Sequence, residues 1–174
     1  MKLFRRRPKL PAESRPALGP EERVVAWCTV AESADVVVAT NHGLWLPGAG
    51  RLGWHEIHKV AWSGRELRIT PAEVAEDREG YTVLVDGPVV SFLLLEPGEV
   101  PDQVRARVTR SVAYTTHHEL AAGAVRVVGR RVSGRDGLSW AVRYDSGTPV
   151  DRAEIVEATG ELVGAARSTL EPAD

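Results

Sequence analysis

The chain has 174 residues, enough for one ordinary domain or two small ones, and its 43% hydrophobic and 26% charged residues are those of a globular protein. No apolar run nears the roughly 18 residues of a membrane-spanning helix. The net charge is −2, and Cys28 is the single cysteine, which excludes an intrachain disulfide and makes the cytoplasm the expected compartment.

Residues 1–20 hold Pro8, Pro11, Pro16 and Pro20 with no apolar period, and read as a flexible basic arm. The arm has no apolar stretch behind its positive charges and is not expected to be a secretory signal. Arg23–Val30 is β-branched and aromatic, hence a strand, and Asp35–Thr40 is a second. Asn41-His42-Gly43 is a tight-turn signal leading into a third strand, Leu44–Leu46, stopped by Pro47. Leu52–Trp62 reads as one longer strand, and Glu66–Thr70 follows a turn at Ser63-Gly64. Pro71–Gly80 is acidic and reads mainly as loop. Tyr81–Val85 and Val89–Leu95 are strands around Asp86-Gly87-Pro88. Short strands with turns every 8–12 residues favour a sandwich or barrel.

The period then changes. Pro101 suits a helix start, and Val104, Val108 and Val112 recur at four-residue spacing, so a helix is expected to end near Ser111. Val112–Thr116 is rich in β-formers, and Ala121-Ala122-Gly123 turns the chain. Val125–Val132 and Leu138–Tyr144 make a hairpin across Ser133–Gly137. In the last element Asp151 and Glu154 have capping-box spacing, and Val150 and Ile155 are placed as a hydrophobic staple. Ile155, Thr159, Leu162, Ala166 and Leu170 lie on one helical stripe, weakened by Gly160 by roughly 1 kcal/mol relative to alanine. The fold class is therefore α+β and mostly antiparallel. The expected organisation is an arm at 1–20, a seven-stranded barrel with a capping helix at 21–112, and a ββα or βββα extension at 113–174.

Three short segments carry a resemblance: Glu22-Arg23-Val24-Val25-Ala26-Trp27, then Val38–Leu44 (VATNHGL), then Trp54-His55-Glu56-Ile57. They resemble the opening strands of bacterial pleckstrin-homology-like domains, which often read ERVLAW, then ATDRRL, then an aromatic and isoleucine pair. This likeness covers about residues 20–112. It implies a barrel used for contact with proteins or membranes, and brings no catalytic residue with it. The whole chain, through the tracts Val104–Val112 and Val125–Val128, also resembles a family of proteins from GC-rich actinobacteria. That likeness implies no activity.

Motifs with chemical potential are few. Gly48-Ala49-Gly50-Arg51-Leu52-Gly53 matches G-x-G-x-x-G, but a dinucleotide site needs that turn between a strand and a helix. A β-pattern follows here, so a hairpin loop is expected. His55 and His58 would diverge on a strand, as would His117 and His118, which argues against a metal pair. Cys28 lies in an apolar strand and reads as a buried thiol. Glu73, Glu76, Asp77 and Glu79 lack the register of a calcium loop. Trp27, Trp45, Trp54, Trp62 and Trp140 read as core residues, with one or two at a rim as partner anchors. No catalytic residue, cofactor or metal site is assigned.

The charge is strongly segregated. Residues 1–10 carry +5, 11–104 carry −8, 105–143 carry +6 and 144–174 carry −5. Arg105, Arg107 and Arg110 fall opposite the valine stripe of the first helix. Arg126, Arg130 and Arg131 follow on the hairpin, with Arg135 and Arg143 beyond them. Such a block either pairs with the flanking acidic segments or offers an anion-binding surface. In the arm, Phe4, Arg5, Arg6, Arg7 and Lys9 form a candidate membrane-contact segment, each basic residue contributing about 1 kcal/mol near anionic lipid. The expected function is a non-enzymatic cytoplasmic interaction module, peripheral at the inner membrane surface if the arm engages lipid. Its first expected partner is a protein, with an anionic membrane surface and RNA as alternatives and no small-molecule substrate implied. The RNA alternative has no stacking motif behind it, with only three tyrosines and two phenylalanines present. An enzyme assembled from distant strands would need a pocket holding a histidine beside a carboxylate.

Overall fold

The structure is a computed structural model and describes residues 8–171. Strands β1 (Val24–Thr29), β2 (Val36–Thr40), β3 (Gly43–Leu46) and β4 (Gly50–Gly53) form an antiparallel four-stranded meander. The turn at Asn41-His42 is held by Thr40, whose Oγ1 accepts the N–H groups of His42 at 3.1 Å and Gly43 at 3.0 Å. The glycine-rich segment at 48–53 lies on the β3–β4 hairpin, as its β-pattern implies.

The expected single strand over Leu52–Trp62 is broken by a 3₁₀ turn at Trp54–Glu56, after which β5 runs from Ile57 to Ser63. Glu56 Oε2 accepts the Gly53 N–H at 2.7 Å, and the buried Trp54 donates Nε1 to the Thr40 carbonyl at 3.2 Å. These two bonds bend the chain from one sheet into the next.

The expected loop over Pro71–Gly80 is also overturned. β6 runs unbroken from Glu66 to Arg78. Its first half pairs with β5 on one side and with β8 (Val90–Leu93) on the other, while its second half pairs with β7 (Tyr81–Asp86). The change of partner falls at Pro71, which has no N–H to give a ladder. Backbone pairing with β7 holds the acidic half extended, and its exposed carboxylates face solvent.

The two sheets of this region meet at a corner, where Val30 bridges Leu94 and the Leu95 N–H donates to the Thr29 carbonyl at 2.9 Å. Helix α1 (Val100–Ser111) packs against β1, β2, β5 and the 3₁₀ turn. Val100 and Val104 bury completely in a core with Leu44, Ile57, Leu67, Ile69 and Leu94.

Strands β9 (Val112–Glu119), β10 (Ala124–Arg131) and β11 (Leu138–Tyr144) form a second sheet region that takes in β7 and the far half of β6. Its order is β6-β7-β11-β10-β9, and β7 pairs with β11 in parallel through Thr82 and Val83 opposite Ala141 and Val142. The fold is thus α+β with mostly antiparallel strands, a curled sheet and two helices. One face of the second region packs Tyr81, Val83, Val125, Val127, Trp140 and Val142 against helix α2 (Ala153–Leu170). The buried stripe of α2 is Ile155, Thr159, Val163 and Ala166, while Leu170 is exposed. Asp151 does not cap α2. A turn bond from the Arg152 N–H to the Pro149 carbonyl starts the helix one residue later, with Arg152 at the N-cap and no side-chain cap bond.

Candidate functional site

Strand β10 separates two concavities. Its alternation puts Val125 and Val127 on the α2 side and Arg126, Val128 and Arg130 on the other. The arginine block, contiguous in sequence, is thereby divided.

The first concavity is an open groove of about 680 Å³ between the end of α1 and the β10–β11 turn. Arg107 and Arg110 enter it from α1, Arg131 from β10 and Arg135 from the turn. Arg131 donates NH1 to the Arg110 carbonyl at 3.0 Å, and Arg107 donates Nε to Gln103 Oε1 at 3.3 Å. None of the four forms an ion pair with a carboxylate among the described residues. Burial, with repulsion from Arg110 and Arg23, pulls the Arg107 guanidinium below its ordinary value. Two carboxylates, Asp136 and Glu171, also line the groove; the Glu171 oxygens accept the Leu138 N–H at 2.8 Å and Trp140 Nε1 at 3.3 Å, and the four arginines outnumber the two acids. Arg105 is exposed on α1 and lines neither concavity.

The second concavity, about 380 Å³, lies on the face of the second sheet region away from α2, under the 3₁₀ turn and β5. Arg126 and Arg130 line it from β10, Arg143 from β11, and His55 and His58 from the turn and β5. Arg130 is only half-buried but structurally engaged. Its NH1 donates to the Ile57 carbonyl at 3.1 Å, to Ser111 Oγ at 3.1 Å and to the Trp54 carbonyl at 3.3 Å. Asp86, at the end of β7, accepts on one oxygen both Arg143 NH2 at 2.6 Å and His58 Nδ1 at 2.8 Å. The His58 side chain is 3% exposed, and its Nε2 is buried without a partner. Burial holds His55 and His58 below the usual histidine range. For His58, Arg143 and Arg130 add to that effect while Asp86 opposes it.

Phe4, Arg5, Arg6 and Arg7 lie outside the described residues, and Lys9 is exposed. Among the described residues no three His, Cys, Asp or Glu side chains gather as metal ligands, and no helix is long and apolar enough to cross a membrane. Trp54 and Trp140 are core residues at 4% exposure each. The sequence reading missed the Asp86 connection. His58 and Asp86 stand 28 positions apart on different strands, and no local spacing links them. The division of the block was readable in principle, since Arg126 and Arg130 share strand parity and Arg131 does not.

No family model, curated protein or solved structure matches the chain.

Proposed function

We infer that the protein is a non-enzymatic interaction module on a pleckstrin-homology-like scaffold, and that it binds an acidic segment of a partner protein in the arginine groove. The single observation behind this reading is the convergence of Arg107, Arg110, Arg131 and Arg135 on one groove with no carboxylate partner among the described residues. Like charges held together on a surface are mutually repulsive, and an incoming carboxylate relieves that repulsion. The scaffold reading is supported by strands β1–β6 and β8, arranged about a core that α1 closes, whereas Tyr81–Val85, expected as one of the seven barrel strands, packs Tyr81 and Val83 in the second core.

The groove is concave, which suits an extended peptide better than a flat bilayer. Its one aromatic lining residue, Trp54, is 4% exposed and offers no ring for base stacking, which disfavours RNA.

Fluorescence polarisation with a labelled octaglutamate peptide tests the reading. The expected result is binding that weakens with added salt and falls at least about tenfold in the Arg107→Glu/Arg110→Glu variant. Arg105→Glu, outside the groove, is expected to bind as the parent does. No binding at low salt, or equal binding by the double variant, overturns the reading. Tighter binding of an RNA oligonucleotide or of phosphatidylserine vesicles than of the peptide replaces the partner.

A further inference from the structure

The cavity on the opposite face of β10 differs from the groove in having an apolar floor. Val128 of β10, Ala141 of β11, Leu84 of β7 and Val74 of β6 line it from four neighbouring strands. Crossing from β10 to β6 takes three inter-strand steps of roughly 4.8 Å, about 14 Å in all. At about 380 Å³ the cavity falls within the size range of small-molecule sites, which combine apolar walls with a few placed polar groups.

The strand register decides where the charge sits. Arg126 lies directly opposite Arg143 of β11 on one side and directly opposite His117 of β9 on the other. Each of these neighbours has a carboxylate of its own. Arg143 donates NH2 to Asp86 at 2.6 Å, and His117 Nε2 meets Asp145 at 2.9 Å. Arg126 is exposed, forms no ion pair among the described residues, and reaches only Thr115 Oγ1 at 3.4 Å. Like charges directly opposite one another on a sheet are destabilising, and an anion held between Arg126 and Arg143 relieves that repulsion.

The remaining charged groups of the lining are committed to the fold. Arg130 gives NH1 to three acceptors, among them the Trp54 carbonyl, and Glu56 accepts the Gly53 N–H at 2.7 Å. Burial keeps His55 and His58 below the usual histidine range, so neither adds a charge at neutral pH. Three arginines thus face two carboxylates, Glu56 in the wall and Asp86 beside it. The positive charge left over is that of Arg126, at the edge of the aliphatic floor. One anionic group at the end of an apolar chain is its complement.

We propose that this cavity binds an aliphatic monocarboxylate of medium chain length. The carboxylate accepts from Arg126 with Arg143 beside it, and the chain lies along Val128, Ala141, Leu84 and Val74. No bond is made or broken. Arg131, which enters the arginine groove, is on the other face of β10, so the two sites are separable.

Isothermal titration calorimetry on the full chain at neutral pH tests this with octanoate, butyrate, 1-octanol and octyl phosphate. Octanoate is expected to bind saturably. Each buried methylene is worth about fourfold in affinity, so butyrate is expected to be at least about tenfold weaker. 1-Octanol has no charge for Arg126 and is expected to be weaker by at least about tenfold as well. Octyl phosphate carries a second charge without a counterpart and is expected to be weaker than octanoate. Arg126→Glu is expected to weaken octanoate at least about tenfold, and Arg107→Glu, in the other concavity, to leave it unchanged. If the glutamate variant does not fold, Arg126→Ala at the same exposed position decides, with an expected loss of at least about threefold. No saturation by octanoate up to about 5 mM, butyrate, 1-octanol or octyl phosphate binding as tightly as octanoate, or indifference to the change at Arg126 overturns the proposal.

Discussion

Arg130 donates NH1 to the Ile57 carbonyl at 3.1 Å, joining β10 to the start of β5 across 73 positions of sequence. The same nitrogen reaches the Trp54 carbonyl and Ser111 Oγ. One guanidinium thus ties the second sheet region to the 3₁₀ turn and the end of α1, and roofs one side of the 380 Å³ cavity. An arginine picked from sequence as a binding residue is therefore also a structural tie.

Arg130→Ala is expected to cost about 2–3 kcal/mol, since it leaves buried acceptors without a donor. Arg126→Ala, on the same strand face but exposed, is expected to stay within about 0.5 kcal/mol of the parent. Urea denaturation midpoints compare the two. Equal midpoints would remove the structural role assigned to Arg130.

Glu22 is a second polar tie. Its oxygens accept Thr40 Oγ1 at 2.7 Å, Trp45 Nε1 at 2.9 Å, the Gly19 N–H at 2.8 Å and Arg51 NH1 at 2.7 Å. Burial pushes this carboxyl up, but the four donors outweigh it and hold it below its ordinary value. A depressed folded value means the stabilisation is present above the unfolded carboxyl pKa, about 4.3, and is lost as pH falls through the folded value. Glu22→Gln is expected to cost about 2 kcal/mol at neutral pH and to flatten that part of the acid profile. Thermal melts from pH 7 down to about pH 3 measure both effects.

His55 and His58 act over a higher window. Both are depressed, first by burial, so the unfolded chain takes up protons that the folded chain resists. The groups facing His58 are Asp86, which raises its value, and Arg143 and Arg130, which lower it. Stability is expected to be full above the unfolded histidine pKa, about 6.5, and to fall as pH drops through the folded values. Proton NMR of the imidazole signals reads this directly. A His58 midpoint above 6.5 would contradict the burial argument.

Two glycines are expected to respond in opposite directions. Gly123 ends the β9–β10 turn at φ +81°, and an added Cβ would collide with Thr148, whose Oγ1 also accepts the Ala124 N–H at 3.1 Å. Gly123→Ala is expected to lose about 2 kcal/mol or more. Gly160 lies inside α2 with open space around its Cβ position, so Gly160→Ala is expected to gain about 1 kcal/mol. Calorimetric melting temperatures separate the signs.

Cys28 is 3% exposed in the first core, and burial raises its thiol to about 11. Thiolate is the reactive form, so labelling by Ellman's reagent at pH 8 is expected to follow unfolding. Its rate should rise with urea in step with loss of circular dichroism. Prompt labelling of the native protein would show the strand opening locally.

Much of the element order was legible because its signals are local. Val24–Thr29, Val36–Thr40 and the β10–β11 hairpin announce themselves by β-branched residues between turn residues, and α1 by Pro101 and its valines. The half of β6 after Pro71 carried the opposite local signal. Glu73, Glu76 and Asp77 read as loop, and only β7 alongside them supplies the ladder that keeps them extended. The α2 stripe was right in phase at Ile155, Thr159 and Ala166 but ran too far, because Leu170 passes beyond the sheet that buries the others.

By itself the sequence determined the α+β class, the alternation of strands and the existence of a concentrated arginine block, since periodicity and turn chemistry act between near neighbours. Only the tertiary structure decided that β7 lies parallel to β11, that Arg107 and Arg131 share a groove, and that His58, Asp86 and Arg143 meet. The reason is physical. A strand states which face each side chain takes, but which strand lies beside it depends on how distant apolar faces bury together, and no local pattern encodes that pairing.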